Sequence, residues 1–430
     1  MTGTPRSRRL AQAALSVLFL GALAACAEQY PNSTFLHTTE FNTAIDALWN
    51  RLLLWGTIVF VIVEAVLIYT IIKYRNRPDS PAPKQVHGNT ALEITWTVVP
   101  AIILVFIAIP TVRTIVKTQA KAPASAITVE VYGHQWWWEF RYPEQGVTTA
   151  NELYLPIGRT VNFALRTKDV LHSFWIPNLG GKRDLISNKT NYLWFTPDSS
   201  YQSTVANGQC AEYCGDSHAN MKFRVFTVSA SDFDKWVASQ KSQASMMGTG
   251  APPVPPATPA AVPGAKPAPK VAAKPAADTA KPVVTEAAYM YPGDKVPDFT
   301  KPKTPYPAGL TFDDAVLAKG DADAGRIQYS KSMCIGCHMV SGNPMSQGVI
   351  GPNLTHIASR YTIAAGLFPN DAQHLARWIK NSRAMKPGVL MPTLGMGEWD
   401  PVLGVKVGAA NGGLTDQQIA DIVAYLRALK

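Results

Sequence analysis

Two apolar stretches constrain this 430-residue chain more than any other feature. One runs from about Leu48 to Ile72 and the other from about Leu92 to Val112. Each is close to the roughly 20 residues that a helix needs to cross about 30 Å of hydrocarbon. Between them lie Lys73, Arg75, Arg77 and Lys84, a basic loop that the positive-inside rule places in the cytoplasm. Upstream, Arg6, Arg8 and Arg9 precede an apolar run, Leu10 to Leu23, that is too short to span; this pattern reads as a secretory address. The two arguments agree on an outside–in–out path, with everything after about residue 115 facing the outer compartment. Glu64 lies inside the first span, where a carboxylate is costly. It either meets a larger membrane partner or has no role. Pro100 in the second span is expected to kink it, which neighbouring helices tolerate.

Charged residues make up only 16% of the chain, below the roughly 25% usual for soluble domains. The net charge of +10 suggests nucleic-acid binding until it is partitioned. Counting Lys, Arg, Asp and Glu, residues 121–240 are neutral and residues 311–430 carry +2. Neither half presents the basic face that a nucleic-acid partner requires. Five cysteines, an odd number, exclude a complete disulfide framework. The first, Cys26, follows Leu23-Ala24-Ala25. Small residues directly before a cysteine resemble a bacterial lipoprotein box, which makes Cys26 the expected lipidation site and residues 1–25 its signal peptide. An ordinary signal peptide is the alternative.

From Ile127 to about Ser229 the apolar pattern has period two: Ile127, Val129, Val131; Val161, Phe163, Leu165; Phe223, Val225, Thr227. Turn signals punctuate these runs, and an antiparallel sandwich or barrel is expected. Near its end stands Cys210-Ala211-Glu212-Tyr213-Cys214-Gly215-Asp216-Ser217-His218-Ala219-Asn220-Met221. Thiolates, an imidazole and a thioether form the soft donor set that selects copper. One cysteine would suit a mononuclear site. A second one four residues on allows two thiolates to bridge two metals, and His172 can supply a second imidazole. A Cys210–Cys214 disulfide is a further alternative, and zinc is chemically possible but leaves the methionine unexplained.

The pattern Val-x-His followed by Cys-x3-Cys-x3-His-x2-Met resembles the binuclear CuA site of subunit II of haem–copper cytochrome c oxidases. The resemblance implies a cupredoxin-like all-β domain over 121–240. In it Cys210 and Cys214 bridge the coppers, His172 and His218 are terminal ligands, and Met221 and the Glu212 carbonyl are weak axial ligands. It also implies that the Glu212 side chain faces a magnesium ion shared with the catalytic subunit. Gly133-His134-Gln135-Trp136-Trp137-Trp138 is similar to the family's aromatic patch, which makes Trp136 the point where electrons arrive. Glu93-Ile94-Thr95-Trp96-Thr97 resembles the start of the family's second span, where the glutamate sits at the mouth of a proton pathway in the partner. One departure is Ser187-Asn188 after Asp184-Leu185-Ile186, where the family has Pro-Gly.

Residues 251–283 contain 10 prolines and 11 alanines, too little large apolar surface to build a core. The stretch 241–310 is therefore expected to be an extended tether that brings the next domain to Trp136 by encounter, without a dedicated docking face. That domain carries Cys334-Ile335-Gly336-Cys337-His338, the c-type haem attachment motif. A short helix around Gly325–Tyr329, Gly351-Pro352-Asn353-Leu354, and a helix over 415–429 with Ile419, Ile422, Val423 and Leu426 on one face surround it. Together these resemble an all-α class I cytochrome c over 311–430. The resemblance implies that Cys334 and Cys337 bind haem c covalently, that His338 ligates the iron and that Pro352 supports His338. The sixth ligand is Met391 in Pro387-Gly388-Val389-Leu390-Met391-Pro392, with Met385 and Met396 as rivals.

The chain is thus expected to be multidomain: outer segment 26–47, spans 48–72 and 92–112 around a cytoplasmic loop 73–91, CuA domain, Pro/Ala-rich linker and cytochrome c domain. The resemblance implies the subunit of an inner-membrane oxidase at which electrons arrive. They pass from cytochrome c or a quinol–cytochrome complex through haem c and CuA to subunit I, which reduces oxygen and pumps protons beside subunit III. The small subunit of a CuA-containing nitric oxide reductase and a free-standing membrane-tethered carrier are the alternatives.

Overall fold

The computed structural model describes residues 16–17, 32–75, 85, 87–198, 204–242 and 289–430. The expected signal peptide apart from residues 16–17, with Cys26, the basic positions Arg77 and Lys84, and the Pro/Ala-rich run 251–283 lie outside the described residues.

Two helices form the hairpin, α1 (Glu40–Lys73) and α2 (Thr90–Gln119). Both extend beyond the apolar spans read from the sequence. Capping explains where they begin: the side chain of Thr39 accepts the N–H of Asn42, and that of Asn89 accepts the N–H of Leu92. α2 continues through Pro100 and Pro110, and Trp55 stacks on Phe106 to join the pair. Both outer ends are fastened to the β domain. Thr39 Oγ1 donates to the Leu179 carbonyl at 2.6 Å, and Glu40 accepts from Thr196 N at 3.0 Å. At the exit of α2, Trp194 Nε1 donates to the Ala120 carbonyl at 2.7 Å. The rest of the hairpin exposes its apolar side chains, as helices solvated by lipid do.

The β domain is a sandwich of two five-stranded sheets. Its strands are β1 (Ile127–His134), β2 (Trp137–Tyr142), β3 (Val147–Ala150), β4 (Glu152–Pro156), β5 (Val161–Thr167), β6 (His172–Trp175), β7 (Arg183–Leu185), β8 (Asn191–Phe195), β9 (Thr204–Cys210) and β10 (Lys222–Val228). The sheet orders are β3-β2-β1-β5-β8 and β4-β10-β9-β6-β7. The pairing is not wholly antiparallel as expected, because β1 runs parallel to β5 and β10 parallel to β4. The alternating residues meet in register, Ile127 beside Val161, Val129 beside Phe163 and Val131 beside Leu165, and all six are buried. Trp138, Phe140, Phe174 and Phe223 fill the space between the sheets. The Ser187-Asn188 departure falls in a tight turn where Asn188 takes φ of 60°, a conformation asparagine tolerates better than most residues. A capped helix, α3 (Ala230–Lys241), closes the domain.

The cytochrome domain holds α4 (Ala322–Lys331), α5 (Ala372–Lys380) and α6 (Asp416–Ala428), shorter helical turns, and two small hairpins at 362–369 and 399–406. α6 starts at a capping box on Thr415 and Gln418 and buries Ile419, Ile422, Val423 and Leu426. It crosses α4 at Gly325, where a side-chain carbon would lie 1.9 Å from the Asp421 carbonyl oxygen.

The expected free tether is corrected at its end. Packed chain resumes at Tyr289, whose N–H reaches Ser239 Oγ at 3.1 Å, and Tyr291 and Thr300 are buried. The domains are also docked. Phe226 on β10 packs against Tyr291 and Tyr361, and Arg224 donates to the carbonyl oxygens of Thr300 (2.5 Å) and Gly366 (3.1 Å). This explains why β10 is buried on both faces: one lies in the sandwich, and the other carries Arg224 and Phe226 against the cytochrome domain.

Candidate metal centre and haem pocket

The copper-type motif converges where the ends of β6, β9 and β10 meet. His172 opens β6 and Cys210 closes β9. The loop that follows carries Cys214, a short helical turn from His218, and Met221 just before β10. The two Sγ atoms are 3.8 Å apart, and both cysteines are free thiols. His172 Nδ1 lies 3.8 Å from Cys210 Sγ, His218 Nδ1 3.6 Å from Cys214 Sγ, and Met221 Sδ 3.9 Å from Cys214 Sγ. The Glu212 carbonyl stands 3.2 Å from Cys210 Sγ. One imidazole and the two thiols lie within 4.8 Å of one another. This sulfur-centred donor set fits soft copper better than hard cations.

The electrostatics favour the thiolate at Cys210 but the neutral thiol at Cys214, which the hydrogen-bonded Cys210 and burial push up. The Cys214 thiol hydrogen-bonded to it, with His172 and the Glu212 backbone, outweighs burial and holds Cys210 well below the ordinary thiol range. Burial opposes charge on His172, but Asp169 and Cys210 raise it overall. Asp169 Oδ1 meets His172 Nε2 at 2.8 Å, which directs Nδ1 toward sulfur. Asp169, three residues before the histidine, was missed in the sequence. So was Gly133, where any side-chain carbon would come 2.6 Å from the His172 ring; the signal for it is its place in the aromatic patch.

Trp136 is buried. Its Nε1 donates to the Cys214 carbonyl at 2.9 Å, and Gln135 Nε2 donates to the same oxygen at 2.8 Å. Glu93 is exposed in the first turn of α2, far along the hairpin from these residues in sequence.

Cys334, Cys337, His338, Pro352 and Met391 line one cavity of the cytochrome domain. His338 Nδ1 donates to the Pro352 carbonyl at 2.8 Å, which leaves Nε2 as a free donor to a metal. Burial lowers its pKa and keeps the ring neutral, the ligating form. A side-chain carbon at Gly351 would collide with the ring at 2.5 Å. Of the rival methionines, Met385 is packed in the core and Met396 is on the surface, and neither lines the cavity. The cavity wall is completed by Gln135, Trp136 and Trp137 of the β domain. An apolar group that takes a histidine and a methionine as ligands fits this lining, and Trp136 stands on the cavity wall.

Comparison with known proteins assigns the same three parts. Residues 37–114 match the transmembrane domain of cytochrome c oxidase subunit II, 146–228 its periplasmic domain, and 322–430 cytochrome c. Cytochrome c oxidase subunit 2 of Alkalihalophilus pseudofirmus is 31% identical over 87% of this chain and 83% of its own length. That of Bacillus sp. strain PS3 is 30% identical over 83% of this chain and 79% of its own. The Bacillus subtilis protein of the same name is 38% identical over 42% of this chain and 54% of its own.

Proposed function

This chain belongs to the cytochrome c oxidase subunit II family, and from that premise we propose which of its residues carry electrons into the enzyme. As the electron-input subunit of a haem–copper terminal oxidase, it is membrane-anchored with an outer domain, and copper and haem belong to its β and cytochrome domains.

Cys210 and Cys214 would hold the copper pair together with His172, His218, Met221 and the Glu212 carbonyl. The gathering of all these donors around the Cys210–Cys214 pair supports this best. Cys334 and Cys337 form the thioether links to haem c, and His338 and Met391 ligate its iron. Bound there, the two groups supply one-electron transfer. The protein holds, orients and shields them. Asp169 fixes the His172 tautomer, Pro352 fixes that of His338, and Trp136 separates the haem cavity from Cys214 with water excluded. Glu212 also serves magnesium at the contact with subunit I, and Glu93 marks the mouth of that subunit's proton pathway. Cys26 is lipidated, the outer domains face the periplasm, and subunits I and III are the membrane partners. The donor is cytochrome c or a quinol–cytochrome complex.

Replacing Cys214 by serine tests the copper assignment, because one thiolate cannot bridge two coppers. The Cys214→Ser oxidase should lose the mixed-valence copper signal in electron paramagnetic resonance while keeping haem c. A normal two-copper spectrum in that variant would remove the assignment.

A further inference from the structure

The two outer domains exchange buried charged side chains. Glu152 on β4 accepts the N–H groups of Tyr361 (2.7 Å) and Thr362 (2.9 Å) of the cytochrome domain. Lys386 reaches the other way. Its Nζ donates to the Trp136 carbonyl at 2.6 Å and to the Ala364 carbonyl at 3.3 Å. At 2% exposure, an ammonium is costly unless backbone or carboxylate oxygens take its protons. Here one of the two acceptors, the one at the shorter distance, belongs to the opposite domain, so Nζ makes both hydrogen bonds only when the domains are docked.

The residues that follow Lys386 fit the same place. The Pro387 carbonyl accepts the hydroxyl of Ser217, inside the copper loop. Gly388 has φ of 78°, and a side-chain carbon there would come 2.9 Å from the Trp136 ring and 3.1 Å from Asp216 Cβ. The 386–388 segment is therefore a finger laid on Trp136, and the same strand of chain continues to Met391. Lys386, Trp136, His338 and Met391 all line one cavity.

We propose that Lys386 is a positioning residue for electron transfer within the chain: by tying the Trp136 carbonyl to the segment that leads to Met391, it locks the domains in the one orientation in which the haem cavity opens onto Trp136. The inference rests on haem and copper occupying the sites assigned above. Methionine has a similar reach and no donor, so in Lys386→Met docking must precede each transfer. Loss of one charge-assisted hydrogen bond lowers the docking equilibrium constant by about tenfold.

Flash-initiated transfer from haem c to copper in the assembled oxidase is the test. Lys386→Met should keep the parent copper and haem spectra while transfer slows, by up to about tenfold, and becomes sensitive to added viscogen. Lys386→Gln, which retains an N–H donor, should recover much of the rate. Parent-like, viscosity-independent transfer in Lys386→Met would overturn the proposal. Should that variant not assemble, dipolar spectroscopy on the unmodified oxidase decides: a single narrow copper–haem distance supports the latch, and a broad spread overturns it. The parent copper and haem spectra report on the site assignments separately from the rate.

Discussion

At the scale of single residues, the ligands are set by what stands behind them. Asp169 holds His172 by one ring nitrogen so that the other faces Cys210, and the Pro352 carbonyl does the same for His338. The spacings of the proposed ligands were legible in the chain because coordination chemistry demands those residue types close together. Asp169 and Lys386 were not, because nothing in linear spacing says which carboxylate or ammonium will fold back onto a site. Met391 could be separated from Met385 and Met396 only by its place on the cavity wall. A harder nitrogen ligand favours ferric iron, so Met391→His should keep haem covalently bound and lower its reduction potential. Potentiometric titration of the variant checks this, and an unchanged potential and spectrum would hand the role to another methionine.

At the scale of elements, periodicity told which faces are buried but not what buries them. The alternation in β1 and β5 was legible because both strands present one face to the sandwich core. β10 alternated in the same way, yet Phe226 and Val228 on its other face are buried as well, a two-sided pattern that signals cover on both faces. Parallel pairing of β1 with β5 was not legible, since side-chain alternation is the same for either direction. The α4–α6 crossing depends on Gly325, where backbone of the two helices comes into contact. Gly325→Ala forces them apart and should destabilise the cytochrome domain by about 2–3 kcal/mol. A denaturant titration followed through the haem band measures it, and a midpoint equal to the parent's would mean that the crossing is loose.

At the scale of the whole molecule, the near-neutral charges of the two outer domains suggested encounter without docking. They describe long-range steering and are silent on an interface built from short contacts. Glu152 gives that interface a pH signature. Burial, partly offset by Arg360 and by the Thr362 and Tyr361 donors, raises its pKa from 4.5 to about 7. The folded chain therefore binds this proton more tightly than the unfolded one. The stabilisation is complete below about pH 4.5, is lost progressively up to about pH 7, and amounts to about 3 kcal/mol across that window. Thermal melts of the parent and Glu152→Gln across this range should show a smaller decline with pH in the variant; equal slopes would contradict it.

In the proposed route electrons reach copper only through the haem of the same chain, because Trp136 is covered by the cytochrome domain. Rapid mixing of the assembled oxidase with reduced donor cytochrome c, following haem c and copper bands together, tests it directly. Haem c should be reduced first, at a rate proportional to donor concentration, with copper following at a rate independent of it. Copper reduction that scales with donor concentration while haem c lags would rule this route out.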